Sequence, residues 1–278
     1  MELSINTDYA GVDVGDIEHY LKNISDSGFK TIQWLQHWEH DFIYTKPEIE
    51  HISKILQKYK LLLYDIHGPV GYEKNWFSNI EYQRLAGVEL VKNRIEMCKA
   101  LGGSVVVMHV PKLDSRIDTQ WIQVRKSLNE LQETSAKNNV RIALENMEYE
   151  SFNGIKELFS EYNSDFIGLC YDSGHGNICG DGLDQLDLVK ERLISVHLHD
   201  NNGLEDQHMP IFTGTVDWEK LAQIIAESPY GKFLTFEIMM EHSGANDEKL
   251  FLESAYKDGM KLLKMVQSYA ENKLPANV

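Results

Sequence analysis

Short β-branched or leucine-rich runs alternate along this chain with longer stretches of helical periodicity. The first run is Leu3–Asn6. The segment after it carries Ile17, Tyr20, Leu21 and Ile24 at i, i+3, i+4 and i+7, one face of a helix, and stops at Gly28. Thr31–Leu35 predicts a second strand. Ile49, Ile52, Ile55 and Leu56 predict a helix opening near Pro47, where proline suits a first turn. The alternation continues with strands at Leu61–Ile66, Ser104–Met108, Arg141–Leu144, Ile167–Tyr171, Ile194–Leu198 and Phe233–Ile238. Helices are expected over Ile80–Leu101, Thr119–Asn138, Gly154–Tyr162 and Leu183–Arg192. Two more are expected, one from Val216-Asp217 with Trp218, Leu221, Ile224 and Ile225 as its apolar set, and one over Glu248–Glu271. The tail Asn272–Val278 is expected to be loose.

Eight strand–helix units with continuous apolar strands predict a parallel sheet covered on its outer face. Eight units in 278 residues fit a single α/β domain over 1–278, a (β/α)8 TIM barrel. A doubly wound open sheet is the alternative, but no G-x-G-x-x-G follows the first strand. No linker or low-complexity segment marks a second domain.

Composition narrows the function classes. The net charge of −16 leaves no basic face for a nucleic-acid backbone, so nucleic acid is not expected as the main partner. No apolar run approaches the ~18 residues of a membrane span, and the start MELSINTDYAG lacks the pattern of a signal peptide. Cys98, Cys170 and Cys179 are odd in number and read as reduced thiols of a cytoplasmic protein.

The chemistry gathers where the strands end. Strand three runs into His67, strand four into His109, strand five into Glu145, and strand six into Asp172 with His175 three residues on. Strand seven carries His197 and His199, followed by Asp206 and His208, and strand eight carries Glu237. A single histidine at a strand end is ordinarily structural. Six consecutive strands ending in His, Asp or Glu point instead to one rim, where barrels build active sites. Carboxylates crowded there repel unless a cation sits between them. A donor set of Glu, Asp and His without Cys favours Mn²⁺, Zn²⁺ or Mg²⁺. Spacing alone does not choose between His197 and His199 as the ligand. Trp34, Trp38, Tyr72 and Trp76 in the early rim segments are candidates to stack on a sugar, or to pack in the core.

The ordered series His67 in IHGP, His109 in MHVP, Glu145 in LEN, YDSGH, VHLHD, Asp206-x-His208 and Glu237 in FEI resembles the xylose isomerase-like TIM-barrel superfamily. That superfamily holds sugar (phosphate) isomerases and epimerases and also endonuclease IV. The resemblance covers nearly the whole chain. It implies a divalent metal held by Glu145, Asp172, His197 and Glu237, with Glu145 and Glu237 also serving as the acid/base pair of an enediolate proton transfer. His197 is implied as ligand because the family motif places an Asp three residues later, here Asp200. His67, His109, His175, His199 and Trp34 are then substrate-binding candidates. All nine positions matching the three-zinc ligands of endonuclease IV are also present, which adds His67, His109, His175, Asp206 and His208 as further metal ligands. One metal against Glu145, Asp172 and Glu237 leaves a net −1, suited to a neutral polyol; three metals with Asp206 added leave +2, suited to a phosphate.

The expectation is therefore a metal-dependent isomerase or epimerase of a sugar, sugar phosphate or polyol, with homo-oligomerisation an open option. The alternatives are an endonuclease IV-like phosphodiesterase and a non-catalytic metal- or sugar-binding barrel. Against DNA repair stand the acidic balance and the short segment between His197 and Asp206, which has no arginine. Gly214-Thr215-Val216-Asp217-Trp218 resembles the turn common in sugar-active members.

Overall fold

Eight parallel strands make up the sheet of this computed structural model, in the order β7-β6-β5-β4-β3-β2-β1-β8. The structure describes residues 1–11, 17–71, 73–112 and 118–271; the expected loose tail and Tyr72 lie outside the described residues. The strands are β1 (Glu2–Asn6), β2 (Thr31–Trp34), β3 (Leu62–His67), β4 (Val105–His109), β5 (Arg141–Glu145), β6 (Ile167–Asp172), β7 (Leu193–His197) and β8 (Phe233–Phe236). The helices between and after them are α1 (Ile17–Asp26), α2 (Lys46–Tyr59), α3 (Glu81–Ala100), α4 (Asp118–Asn138), α5 (Phe152–Glu161), α6 (Ser173–Cys179), α7 (Gly182–Val189), α8 (Trp218–Glu227) and α9 (Glu248–Glu271). The ring closes just past β7: Leu198 N–H donates to Thr235 O at 2.9 Å, and Glu237 N–H donates to Leu198 O at 3.2 Å. This is the expected (β/α)8 barrel.

Alternation along the strands divides the core. Val106, Met108, Ile142, Leu144, Leu169 and Val196 face outward into the layer shared with the helices. Tyr64, Val105, Val107, Ala143, Cys170 and Ile194 fill the inside of the ring. Two β-bulges face each other across that interior. One lies between β2 and β3, where Ile32 pairs with Leu63 and Gln33 with Asp65. The other lies between β6 and β7, where Leu169 pairs with Leu193 and Cys170 with Ser195. Each bulge turns two successive residues inward, a way strands re-aim side chains beside active sites. The two pairs then bond across the ring: the Tyr64 hydroxyl donates to Ile194 O, and the Ser195 hydroxyl donates to Asp65 Oδ2 at 2.5 Å. His67 and His197 follow directly beyond these ties.

The predicted elements appear, most with ends shifted by one or two residues, and three differences bear on the site. The helix expected over Leu183–Arg192 is α7, which stops at Val189 and ends in a 3-10 turn over Lys190–Arg192. The strand expected to reach Ile238 ends at Phe236, so Glu237 lies just past it. The Gly-rich segment before α7, which carries no helical periodicity, forms the short helix α6. The Asp172 carboxylate caps it by accepting from His175 N–H at 2.7 Å. Its glycines allow close packing. A Cβ on Gly174 would lie 2.0 Å from the His199 ring, and one on Gly176 would lie 2.3 Å from the Tyr171 hydroxyl. Cys98, Cys170 and Cys179 are all free thiols. No helix among the described residues is long and apolar enough to cross a membrane.

Candidate active site

The interior columns of the barrel end in polar residues at its C-terminal rim. Val105 and Val107 lead to His109, Ala143 leads to Glu145, Cys170 to Asp172, and Thr31 to Gln33. His109 and Glu145 among these, with residues from the following loops, border a cavity of about 260 Å³. Its wall includes Asp8, Trp38, His67, His109, Glu145, His175, Asp206, His208 and Glu237.

Glu145 stands at the centre. It is 1 % exposed. Its Oε1 accepts from His197 Nδ1 at 2.8 Å, while its Oε2 lies 3.3 Å from His109 Nε2 and 3.7 Å from His67 Nε2. Glu237 Oε2 lies 2.7 Å from the same His197 nitrogen. The far nitrogen of His197, Nε2, is 2.5 Å from Gln33 Nε2, which also donates to Glu237 Oε2 at 3.1 Å. His67 and His109 meet at 3.1 Å between their Nε2 atoms.

A second cluster adjoins the first through Asp172 and His175. Asp172 Oδ1 and Oδ2 both lie 3.0 Å from His199 Nε2. His175 Nδ1 is 3.6 Å from Asp172 Oδ1 and 3.9 Å from Glu145 Oε1. Asp206 Oδ2 is 3.2 Å from both His175 Nε2 and His208 Nε2. His208 takes a left-handed backbone, φ 45°, unusual for a non-glycine residue, and its Nδ1 is 2.8 Å from Glu237 O. Its ring stacks on His199 at 4.0 Å between centroids.

The loop carrying Asp206 and His208 is anchored by Asp200. Asp200 Oδ1 accepts from Asn201 N–H and Val216 N–H, each at 3.0 Å, and Oδ2 accepts from Trp218 Nε1 at 2.8 Å. A Cβ on Gly214 would lie 2.4 Å from Asp200 Oδ1, so the chain passes there only as glycine. The Asp of VHLHD and the Gly-to-Trp turn are thus one structural device that frames the rim.

The electrostatics suit a cation. Among the described residues, the ion-pair partners of Glu145, Asp172 and Glu237 are all histidines. Burial opposes charge on Glu145 and Glu237, yet His197 holds both carboxyls below their ordinary range. Burial also opposes charge on His175, His197 and His208, and the neighbouring carboxylates, with Cys170 beside His197, overcome it; His208 is pushed up to about 10. His67 behaves differently: burial and its neighbour His109 push it down to about 4. Glu145 Oε2 is buried and has no hydrogen-bond donor. A buried carboxylate oxygen left open beside two imidazoles fits a divalent ion, which would take the place of the imidazolium protons. The donor atoms group as His67/His109/Glu145, Glu145/Cys170/His197, Glu145/Asp172/His175 and His199/Asp206/His208, each set within 4.8 Å.

The nine strand-end and loop residues predicted as ligands therefore meet at one rim, as does His199, set against Asp172 rather than apart from it. Trp34 is placed elsewhere. It points outward from β2 into the core, 2 % exposed, and its Nε1 donates to the Tyr44 hydroxyl at 2.9 Å. Trp38 is the tryptophan at the cavity, 4.6 Å from the His67 ring centroid. Trp76 is buried, with its Nε1 donating to His109 O at 3.1 Å. Sequence reasoning passed over Gln33, Asn6 and Asp8. Asp8 lines the cavity, burial pushes its carboxyl up to about 6, and Asn6 Nδ2 donates to it at 2.7 Å. A polar residue on the inward phase of an apolar strand was the available signal for Gln33.

Residues 21–265 match the family model described as a xylose isomerase-like TIM barrel, and the chain belongs to that family. It is 32% identical over 281 residues to uncharacterized protein y4fM of Sinorhizobium fredii, covering 91% of this chain and 90% of that one. It is 26% identical over 165 residues to the probable endonuclease 4 of Mesoplasma florum, covering 52% and 56%. Among solved structures, L-ribulose 3-epimerase superposes with a TM-score of 0.81 at 18% identity, covering 100% of this chain and 99% of that one, a likeness of fold.

Proposed function

We propose that this protein is a divalent-metal-dependent isomerase or epimerase of a sugar or related polyol. One observation carries the reading: Glu145 and Glu237 approach the same nitrogen of His197, at 2.8 and 2.7 Å, beside the cavity. Glu145, Asp172, His197 and Glu237 would hold the metal, whose part when bound is to polarise a substrate carbonyl. The chain's own residues do the rest. One of the two glutamates removes the proton from the carbon beside the carbonyl, and the other returns a proton to the neighbouring carbon or to the opposite face. His67, His109 and His175 line the cavity where substrate hydroxyls would lie, and Trp38 offers an apolar ring face for a sugar.

A phosphodiesterase related to endonuclease IV is the second reading. It draws on Asp206, whose Oδ2 lies 3.2 Å from both His175 and His208, the geometry of a further ligand set. The net charge of −16 and a 198–205 segment without arginine favour the small-molecule reading. A panel of ketoses, aldoses and inosose-type ketones, assayed with added Mn²⁺, tests the proposal. Conversion of at least one, lost on chelation, supports it. No conversion, together with metal-dependent cleavage of abasic DNA at physiological salt, puts the second reading in its place.

A further inference from the structure

We infer that Gln33 is the positioning residue that orients His197 for metal binding and thereby sets the affinity of the site for its cation. The inference rests on the metal reading proposed above. Gln33 is fully buried on β2, one residue before the outward-facing Trp34. Alternation from Thr31 turns its side chain into the ring, at the level of Asp65 on β3. There its amide touches both His197 Nε2, at 2.5 Å, and Glu237 Oε2, at 3.1 Å. The other nitrogen of His197 faces Glu145 and Glu237. The two nitrogens thus have separate partners, and the partner of one decides what the other can do.

An imidazole binds a metal through a nitrogen that carries no proton, and the hydrogen bond at its second nitrogen fixes which one that is. An amide is the side-chain group that can serve either state. With its NH₂ toward Nε2 it donates, and the His197 proton resides on Nδ1, shared with the two glutamates. With its carbonyl toward Nε2 it accepts the proton there, and the Nδ1 lone pair, beside Glu145 and Glu237, is left open to a metal. Gln33 Oε1 is buried without a hydrogen-bond partner, so nothing in the described structure ties that end of the amide down. A half-turn of the side-chain amide exchanges the two ends without moving the backbone. Glutamine also brings no fourth carboxylate to a site that already holds Glu145, Asp172 and Glu237.

The test titrates Zn²⁺ into metal-stripped wild type, Gln33→Leu and Gln33→Glu by calorimetry, with ¹⁵N NMR reading the His197 ring in the zinc-loaded protein. Gln33→Leu should weaken Zn²⁺ binding by about 10–100-fold, as loss of an outer partner of a ligating histidine does. Gln33→Glu, which can still accept from Nε2–H, should recover part of that loss. The loaded wild type should carry the His197 proton on Nε2. Gln33→Met, which keeps the length of the side chain, replaces Gln33→Leu if near-UV circular dichroism shows that variant to be unfolded. A folded Gln33→Leu or Gln33→Met that binds Zn²⁺ within twofold of wild type overturns the inference, as does a loaded His197 protonated on Nδ1. Wild type that takes up no Zn²⁺ sinks the metal reading itself, and the inference with it.

Discussion

Glu145 and His197 meet at 2.8 Å although 52 positions separate them, and the same carboxylate reaches His109 with its other oxygen at 3.3 Å. It therefore couples the β3–β4 histidines to the β7 histidine. Glu145→Gln keeps the volume and removes the charge. We expect it to weaken divalent-metal binding and to lower kcat on an identified sugar by about 10²–10⁴-fold, the span usual for loss of a general acid or base. Glu237→Gln should fall in the same range. Steady-state kinetics with saturating Mn²⁺ check this, and unchanged kcat in both variants removes the pair from the chemistry.

The protonated histidines make the metal-free protein sensitive to alkali. His208 has a folded-state pKa raised to about 10 from an ordinary 6.5, because Asp206 outweighs burial. A raised pKa stabilises fully below the unfolded value and loses that contribution as pH rises through the folded one. His67, lowered to about 4, works the other way: its contribution is present above about 6.5 and lost as pH falls toward 4. In the presence of a chelator, the denaturation midpoint should peak near neutrality and decline on both sides. Asp206→Asn should flatten the alkaline limb. A midpoint that rises from pH 7 to 10 would contradict the assignment.

Metal uptake should release protons, since the ion replaces protons on His197 and its neighbours. Apparent affinity for Mn²⁺ or Zn²⁺ should fall as pH drops from 8 to 6. Calorimetry in two buffers of different ionisation enthalpy measures the release, and binding with no proton release would count against these ligands. Metal analysis of Asp206→Asn separates the two functional readings. An unchanged single equivalent fits the sugar site, whereas loss of an equivalent from a multi-metal protein fits the phosphodiesterase.

Gly174→Ala tests the packing behind the site. The new methyl would lie 2.0 Å from the His199 ring, forcing it off Asp172. Overpacking of this kind costs about 1–3 kcal/mol. Chemical denaturation should show that loss, and a variant as stable as wild type would mean that the ring is free to move aside.

Much of the site was readable from the chain because each histidine or carboxylate interrupts an apolar run, and a barrel brings all such interruptions to one rim. His67, His109, Glu145, Asp172 and His197 are strand-end residues of this kind. What was hidden depends on contacts distant in sequence. Gln33 is a neutral residue inside Thr-Ile-Gln-Trp, and its role comes from His197 and Glu237, 164 and 204 positions away. The α6 segment carries no helical signal because its helix is held by the Asp172 cap and by space left for His199 and Tyr171, which no local period encodes. Trp34 shows the reverse: with Thr31 and Gln33 on the inward phase of β2, strict alternation already turns it to the core.

The central claim is proton transfer beside a carbonyl by Glu145 and Glu237 in a metal-loaded site. The most direct measurement is NMR of a ketose panel incubated with the Mn²⁺-loaded protein in D₂O, followed, once the metal is removed, at the carbons next to the carbonyl. We expect solvent deuterium to enter one of those carbons with at least one sugar, and Glu145→Gln and Glu237→Gln to abolish the exchange. Absence of exchange with every ketose, or exchange that persists undiminished in both variants, would contradict the account.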